Sequence, residues 1–147
     1  HAPEPWENKK VLLSLSDKES LSGQVLFIGK TLKELGFTIL ATDGTAEFYE
    51  KHGIHCEVVN KIGCGRPDVL DKILNKEVCL VINTPKAKRN YAEDRKTIRK
   101  ACLKYKVSYI TTLAGATAAV LGIKSVQHGI GGEGGVKSLQ EYHALVK

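Results

Sequence analysis

No apolar run in the sequence approaches the roughly 20 residues that a membrane-spanning helix needs, and the opening HAPEPWENKK has no hydrophobic signal core. A soluble, non-exported, cytoplasmic protein without membrane contact is expected. The four cysteines, Cys56, Cys64, Cys79 and Cys102, form no CxxC pair, and no histidine stands at a spacing that suits zinc, so no metal site is expected. Cys56, Cys79 and Cys102 fall within apolar patterns, as reduced core residues do, whereas Cys64 sits in a glycine loop. His52, His55, His128 and His143 are scattered, which suits solvated side chains better than ligands. An RNA-binding aromatic motif, zinc-finger spacing and a helix-turn-helix pattern are all missing. They bear on partners because Lys and Arg total 22 against 16 Asp and Glu, a net charge of +6. The basic residues are spread over several segments, and in the densest run, 86–106, they interleave with Glu93, Asp94 and an apolar helical face. A basic stripe of the kind that binds nucleic acid is therefore not expected, and small anionic ligands are favoured.

What is there is enough for one compact domain: 147 residues, of which 42% are hydrophobic. Residues 1–10, with two prolines and a Glu-Asn-Lys-Lys run, read as a linker from a preceding domain, leaving 11–147 as the folded unit and the chain as a piece of something longer. The run 11–15 (VLLSL) has the pattern of a strand covered on both faces. Asp17 is expected to cap the helix after it, whose stripe is Leu21, Val25, Ile28, Leu32 and Leu35, with Gly36 as its stop. Strands are expected at 38–41 and 56–60, with a short helix at 46–52 ended by Gly53. Pro67 is expected at the first position of a helix that buries Val69, Leu70, Ile73 and Leu74. The most hydrophobic run, 77–82, predicts a central strand, and a helix follows with Ile98, Ala101, Cys102 and Tyr105 inward. Arg95, Lys96, Arg99, Lys100 and Lys104 would form mostly a solvated face. A fifth strand is expected at 108–111 and a small-residue helix at 114–121, then a flexible glycine-rich turn at 129–135 and a last helix or tail at 138–146. Five alternations of strand and helix with short connections predict an α/β fold: a doubly wound, five-stranded parallel sheet in a Rossmann-like three-layer sandwich.

In such a sheet right-handed crossovers gather the strand ends on one rim. Ser14, Thr42, Thr45, Lys61, Asn83, Thr84, Thr111 and Thr112 all stand at strand ends and should share it. The turn 42–45 (TDGT) opens a helix, and backbone N–H groups at Gly44 beside two hydroxyls, with Lys61 at the next strand end, suit a phosphate. The competing explanation is a helix cap, since Thr and Asp cap helices whatever the function.

The segments LLSLSDKE (12–19), GFTILATDGTAEFYEKHGI (36–54), VVNKIGCGRPDVLDKI (58–73), VINTPKAKRNYAEDRKTIRKACLKYKVSYITTL (81–113) and VKSLQEYH (136–143) carry a resemblance over nearly the whole chain. The sequence resembles the carboxy-terminal regulatory domain of the carbamoyl-phosphate synthetase large subunit, within the methylglyoxal-synthase-like superfamily. The resemblance implies a domain with no catalytic residues and no cofactor of its own, which binds UMP or IMP and borders an ornithine site. It also implies synthetase domains in the same chain that use ATP with Mg or Mn, a glutaminase small subunit as partner, and an oligomeric full-length enzyme. Carried over, the effector contacts fall on Ser14, Lys18, Thr42, Thr45, Lys61, Asn83, Thr84 and Asp94, and the ornithine border on Tyr109 and Thr111. Three departures stand out: about two extra residues between Ser14 and Gly36, Pro85 where another hydroxyl residue is familiar, and Ile110 where an acidic residue is familiar. A methylglyoxal-synthase-type lyase acting on dihydroxyacetone phosphate is the competing enzyme, but Arg66 occupies the place of its catalytic aspartate and Tyr91 that of its histidine. Arginine is no general base at neutral pH. The purine-pathway cyclohydrolase domain shares only the SDK-like segment and the turn. A third alternative is a structural or oligomerisation module in which the turn only caps a helix.

Overall fold

The computed structural model describes residues 9–16, 18–84 and 92–127. Five strands, β1 (Lys10–Ser14), β2 (Thr38–Thr42), β3 (Glu57–Val59), β4 (Leu80–Asn83) and β5 (Ser108–Ile110), pair in parallel in the order β3-β2-β1-β4-β5. The five helices are α1 (Ser22–Glu34), α2 (Asp43–Lys51), α3 (Val69–Leu74), α4 (Ala92–Lys104) and α5 (Leu113–Gln127). Successive side chains of a strand point to opposite faces. Val11 and Leu13 of β1 accordingly join a core with α1, α2 and α5, whereas Leu12 joins a second core with α3 and α4. Helices on both faces of an all-parallel sheet make the expected doubly wound sandwich.

Packing overrides several local signals. The helix α1 begins at Ser22 with Leu21 as its N-cap and no side-chain cap bond; Asp17, the expected cap, lies outside the described residues. Leu21 is 39% exposed, so the buried stripe starts only at Val25 and continues through Ile28 and Leu32. Gly29 on that stripe lies against the Tyr49 ring so closely that a Cβ would collide with it, and the Tyr49 hydroxyl donates to the Val25 carbonyl at 2.7 Å. Gly36 at φ +90° and Gly53 at φ +79° lie just beyond the ends of α1 and α2, where the left-handed backbone favours glycine.

Pro67 is not the first residue of α3. Asp68 is the N-cap, in a reciprocal capping box with Asp71, because a side-chain acceptor satisfies end N–H groups that Pro67 cannot. Of the face expected for that helix, Val69 and Ile73 are buried, Leu70 is partly so and Leu74 is 41% exposed. The expected central strand is shorter, Leu80–Asn83, and lies between β1 and β5, with β1 at the centre. The last described helix runs six residues past its expected end at 121, since Ile123 beyond Gly122 is still fully buried. Lys10 is already part of β1, one residue inside the expected linker; residues 1–8, and the glycine-rich turn and tail expected after 128, lie outside the described residues. All four cysteines are free: Cys56 and Cys102 are buried, Cys79 is half-buried and Cys64 is exposed. Burial pushes the Cys56 and Cys79 thiols up to about 11 and Cys102 up to about 12, as befits core thiols. Among the described residues no helix is long and apolar enough to cross a membrane.

Candidate functional site

From β1 the chain winds outward to β2 and β3, then crosses to the other side for β4 and β5. The direction reverses between β1 and β4, and in open α/β sheets a crevice forms outside the strand ends at such a point. Here it is a cleft of about 120 Å³, far more than the ~10–15 Å³ that one water needs. Register sets its floor: Ser14 at the end of β1 stands beside Asn83 at the end of β4, and Thr42 ends β2 on the other side.

Side-chain hydroxyls hold the loop that follows β1 from both flanks. Thr45, buried in the first turn of α2, accepts from the Leu15 N–H at 2.9 Å, and its own hydroxyl lies 3.5 Å from the Leu15 carbonyl. Thr84, just after β4, accepts from the Ser16 N–H at 2.9 Å, while its own N–H donates to the Ser14 carbonyl at 3.0 Å. Thr42 is the N-cap residue of α2 by position, yet its hydroxyl makes no cap bond and donates to Ser14 Oγ at 3.2 Å. The cap explanation of the TDGT turn therefore fails for the Thr42 side chain. Its helix start has no side-chain acceptor from the N-cap, and end N–H groups of this kind with a positive helix-dipole end suit an anion.

Ser14, Lys18, Thr42, Gly44, Thr45, Lys61, Asn83, Thr84 and Asp94, nine of the twelve residues expected at the site, line this one cleft. Lys18 Nζ donates to the Leu15 carbonyl at 3.0 Å and lies beside Gly44. The other three do not line it. Tyr109 stands behind Asn83 on β5, its hydroxyl oxygen accepting from Asn83 Nδ2 at 3.4 Å. Burial raises the Tyr109 pKa, against the Asn83 hydrogen bond and the positive charges of Arg95 and Arg99, so the phenol stays protonated at neutral pH. Thr111 is exposed, and Thr112 caps α5 by accepting from the Gly115 N–H at 3.0 Å.

Sequence reasoning missed Arg95, which lines the cleft although it was expected on the solvated face of α4. The signal was available: Asp94 and Ile98 are one turn apart with Arg95 between them, so the burial of Ile98 brings the start of α4 over the cleft. Ser16, Ile62, Val69 and Val81 were missed as well. Arg66, in the place of a lyase base, does not line the cleft; its Nε and Nη2 donate to the two Asp71 carboxylate oxygens at 3.1 and 2.6 Å. Tyr91 lies outside the described residues. Among the described residues there is no group of three or more His, Cys, Asp or Glu that could hold a metal ion. What the cleft offers chemically is hydroxyl and amide hydrogen bonding, three cations and one carboxylate, a set suited to holding an oxyanion.

The fold and the cleft together define a doubly wound α/β domain with an anion-suited site at its switch point. A family model described as the MGS-like domain matches residues 24–111. The chain belongs to the MGS-like domain family. It is 45% identical over 133 residues to the carbamoyl phosphate synthase large chain of Archaeoglobus fulgidus, a match that covers 90% of this chain and 12% of that protein. Two relatives named as the C-terminal section of the carbamoyl phosphate synthase large chain are also similar. That of Methanopyrus kandleri is 42% identical, with 84% of this chain and 22% of the relative covered; that of Aquifex aeolicus is 39% identical, with 95% and 26% covered. The chain thus spans between 12% and 26% of these relatives' length. The crystal structure of ForH shares the fold at a TM-score of 0.61 and 18% identity, covering 93% of this chain and 88% of that one.

Proposed function

We propose that this domain is the effector-binding, regulatory part of a carbamoyl phosphate synthase large chain and that its cleft holds a nucleoside monophosphate, UMP or IMP. The observation that carries this is the convergence of nine expected contact residues on one cleft at the strand-end rim. The phosphate sits at the N-terminus of α2, among Ser14, Thr42, Lys18 and Lys61. Hydrogen bonds to a charged group contribute roughly 1.5–3 kcal/mol each, so a few such contacts support micromolar affinity after the cost of association. Synthetase domains elsewhere in a longer cytoplasmic chain use ATP with Mg or Mn and work with a glutaminase small subunit in an oligomeric enzyme. Carbamoyl phosphate made there serves pyrimidine and arginine synthesis. Effector binding biases them by differential affinity for two arrangements of the enzyme, and a coupling of about 1–3 kcal/mol suffices. Tyr109 and Thr111 belong to the border with those domains, where ornithine would bind.

Calorimetric titration of UMP and IMP into this chain, with Lys61→Ala as control, tests the site. The variant should bind about tenfold or more weakly, since it loses a charge-assisted contact. Equal binding by both proteins would remove the site assignment. Release of methylglyoxal from dihydroxyacetone phosphate would replace regulation with lyase chemistry. An absence of nucleotide binding at millimolar concentration, with self-association in sedimentation, would favour an interaction module.

A further inference from the structure

Residues of β4 alternate between the two faces of the sheet. Val81 belongs to the core under α3 and α4, so Asn83, two residues on, stands on that same face at the strand end. Tyr109 is the register partner of Val81 on β5 and packs against the same core, and its hydroxyl reaches along the face to the Asn83 carboxamide. Asn83 is only 8% exposed and lines the cleft, whereas Tyr109 is half-buried and does not line it. The Asn83 Nδ2 is given to the Tyr109 hydroxyl at 3.4 Å; among the described residues its Oδ1 has no hydrogen-bond partner. A buried carbonyl oxygen without a donor is costly, and a molecule bound in the cleft removes that cost by supplying one.

A carboxamide carries a donor and an acceptor of nearly the same shape, and it turns about its last bond unless one end is held. Resting on the nucleotide-binding function above, we propose that Tyr109 is a positioning residue for the cleft: by accepting from Nδ2 it holds the Asn83 side chain with Oδ1 toward the ligand, where it takes a hydrogen bond from a donor such as a sugar hydroxyl. Phosphate oxygens are acceptors, so the phosphate stays with the lysines and the start of α2 while Asn83 holds the body of the molecule. Tyr109 thereby sets part of the affinity of a cleft that it does not line.

The test is a double-substitution cycle: dissociation constants of UMP with the unaltered chain, with Tyr109→Phe, with Asn83→Ala and with the chain carrying both. Tyr109→Phe keeps the ring and removes one oxygen, and it should weaken UMP binding about three- to tenfold. In the Asn83→Ala background the same substitution should change the constant by less than about twofold, because no carboxamide is left to hold. The Asn83 side-chain NH2 resonances, assigned by their loss in Asn83→Ala, should shift in ligand-free Tyr109→Phe, which a general loosening of the fold would not confine to them. Circular dichroism reports whether the four proteins keep their fold, and Asn83→Ser replaces Asn83→Ala in the cycle if the latter does not. An equal loss from Tyr109→Phe in both backgrounds, or no loss in the first, would overturn the positioning role and leave the binding function standing. Failure of UMP to bind the unaltered chain would overturn the function and this inference together.

Discussion

The two helix layers of this domain are built differently. Among the described residues, the layer of α1, α2 and α5 contributes to a cluster of 23 buried hydrophobic residues, against 11 for the layer of α3 and α4. In the larger cluster the helices interlock: Tyr49 fills the space left by Gly29, and its hydroxyl is satisfied by the Val25 carbonyl. The smaller one is floored by Leu12, Val81 and Val69, and it is here, below α4, that the cleft opens. Stability is concentrated on one face and an accessible, two-sided lining on the other, so a substitution can strike one without the other.

The largest effect expected from that division is on Leu32, fully buried in the larger cluster. Leu32→Ala should cost about 2–5 kcal/mol in urea unfolding while leaving the nucleotide Kd of the folded protein unchanged. Ile98→Ala, at the roof of the cleft, should lower stability and also weaken binding; if Leu32→Ala changed Kd as much, the layers would not be separable. A smaller effect, about 1–3 kcal/mol, is expected for Thr45→Val, which leaves the buried Leu15 N–H without its acceptor at nearly unchanged volume. Because the loop carrying Ser16 would loosen, binding should weaken with it; a stable variant with full affinity would show that the loop needs no anchor.

The smallest effect is one of pH. The Asp71 carboxyl is held below the usual carboxylate range, first by the Asp68 N–H and then by Arg66. A folded pKa that is depressed gives stability present above the unfolded value of about 4 and lost as the pH falls through the folded one. Asp71→Asn removes that titration, so as the pH falls below about 4 the variant should lose stability less steeply than the unaltered chain. Equal slopes would mean that the capping box contributes no pH dependence.

Much of this was legible. Buried parallel strands are continuous apolar runs, and VLLS and LVIN announce themselves at residues 11–14 and 80–83. Polar residues at their ends, Ser14 and Asn83, follow from topology alone once the strands are ordered. What failed was wherever a side chain had two uses. Thr42 has the chemistry of a cap, but Ser14 offers its hydroxyl a partner that lies 28 positions away in sequence. The helix expected to end at 121 runs on to Gln127 because α1 is packed against α5 and Ile123 is buried there. Arg95 carries charge on a helix that is mostly solvated, and only its neighbour Ile98 reveals which side faces in. Local pattern marks which elements exist; partners distant in sequence decide what their ends do.

The loop between β1 and α1 hangs from two hydroxyls that come from opposite sides of the sheet, Thr45 beside β2 and Thr84 beyond β4. Its two adjacent amide protons, of Leu15 and Ser16, therefore act as paired reporters in a spectrum. Movement of the β2–β3 half alters the first, movement of the β4–β5 half alters the second, and anything that spreads or closes the sheet at its switch point alters both at once.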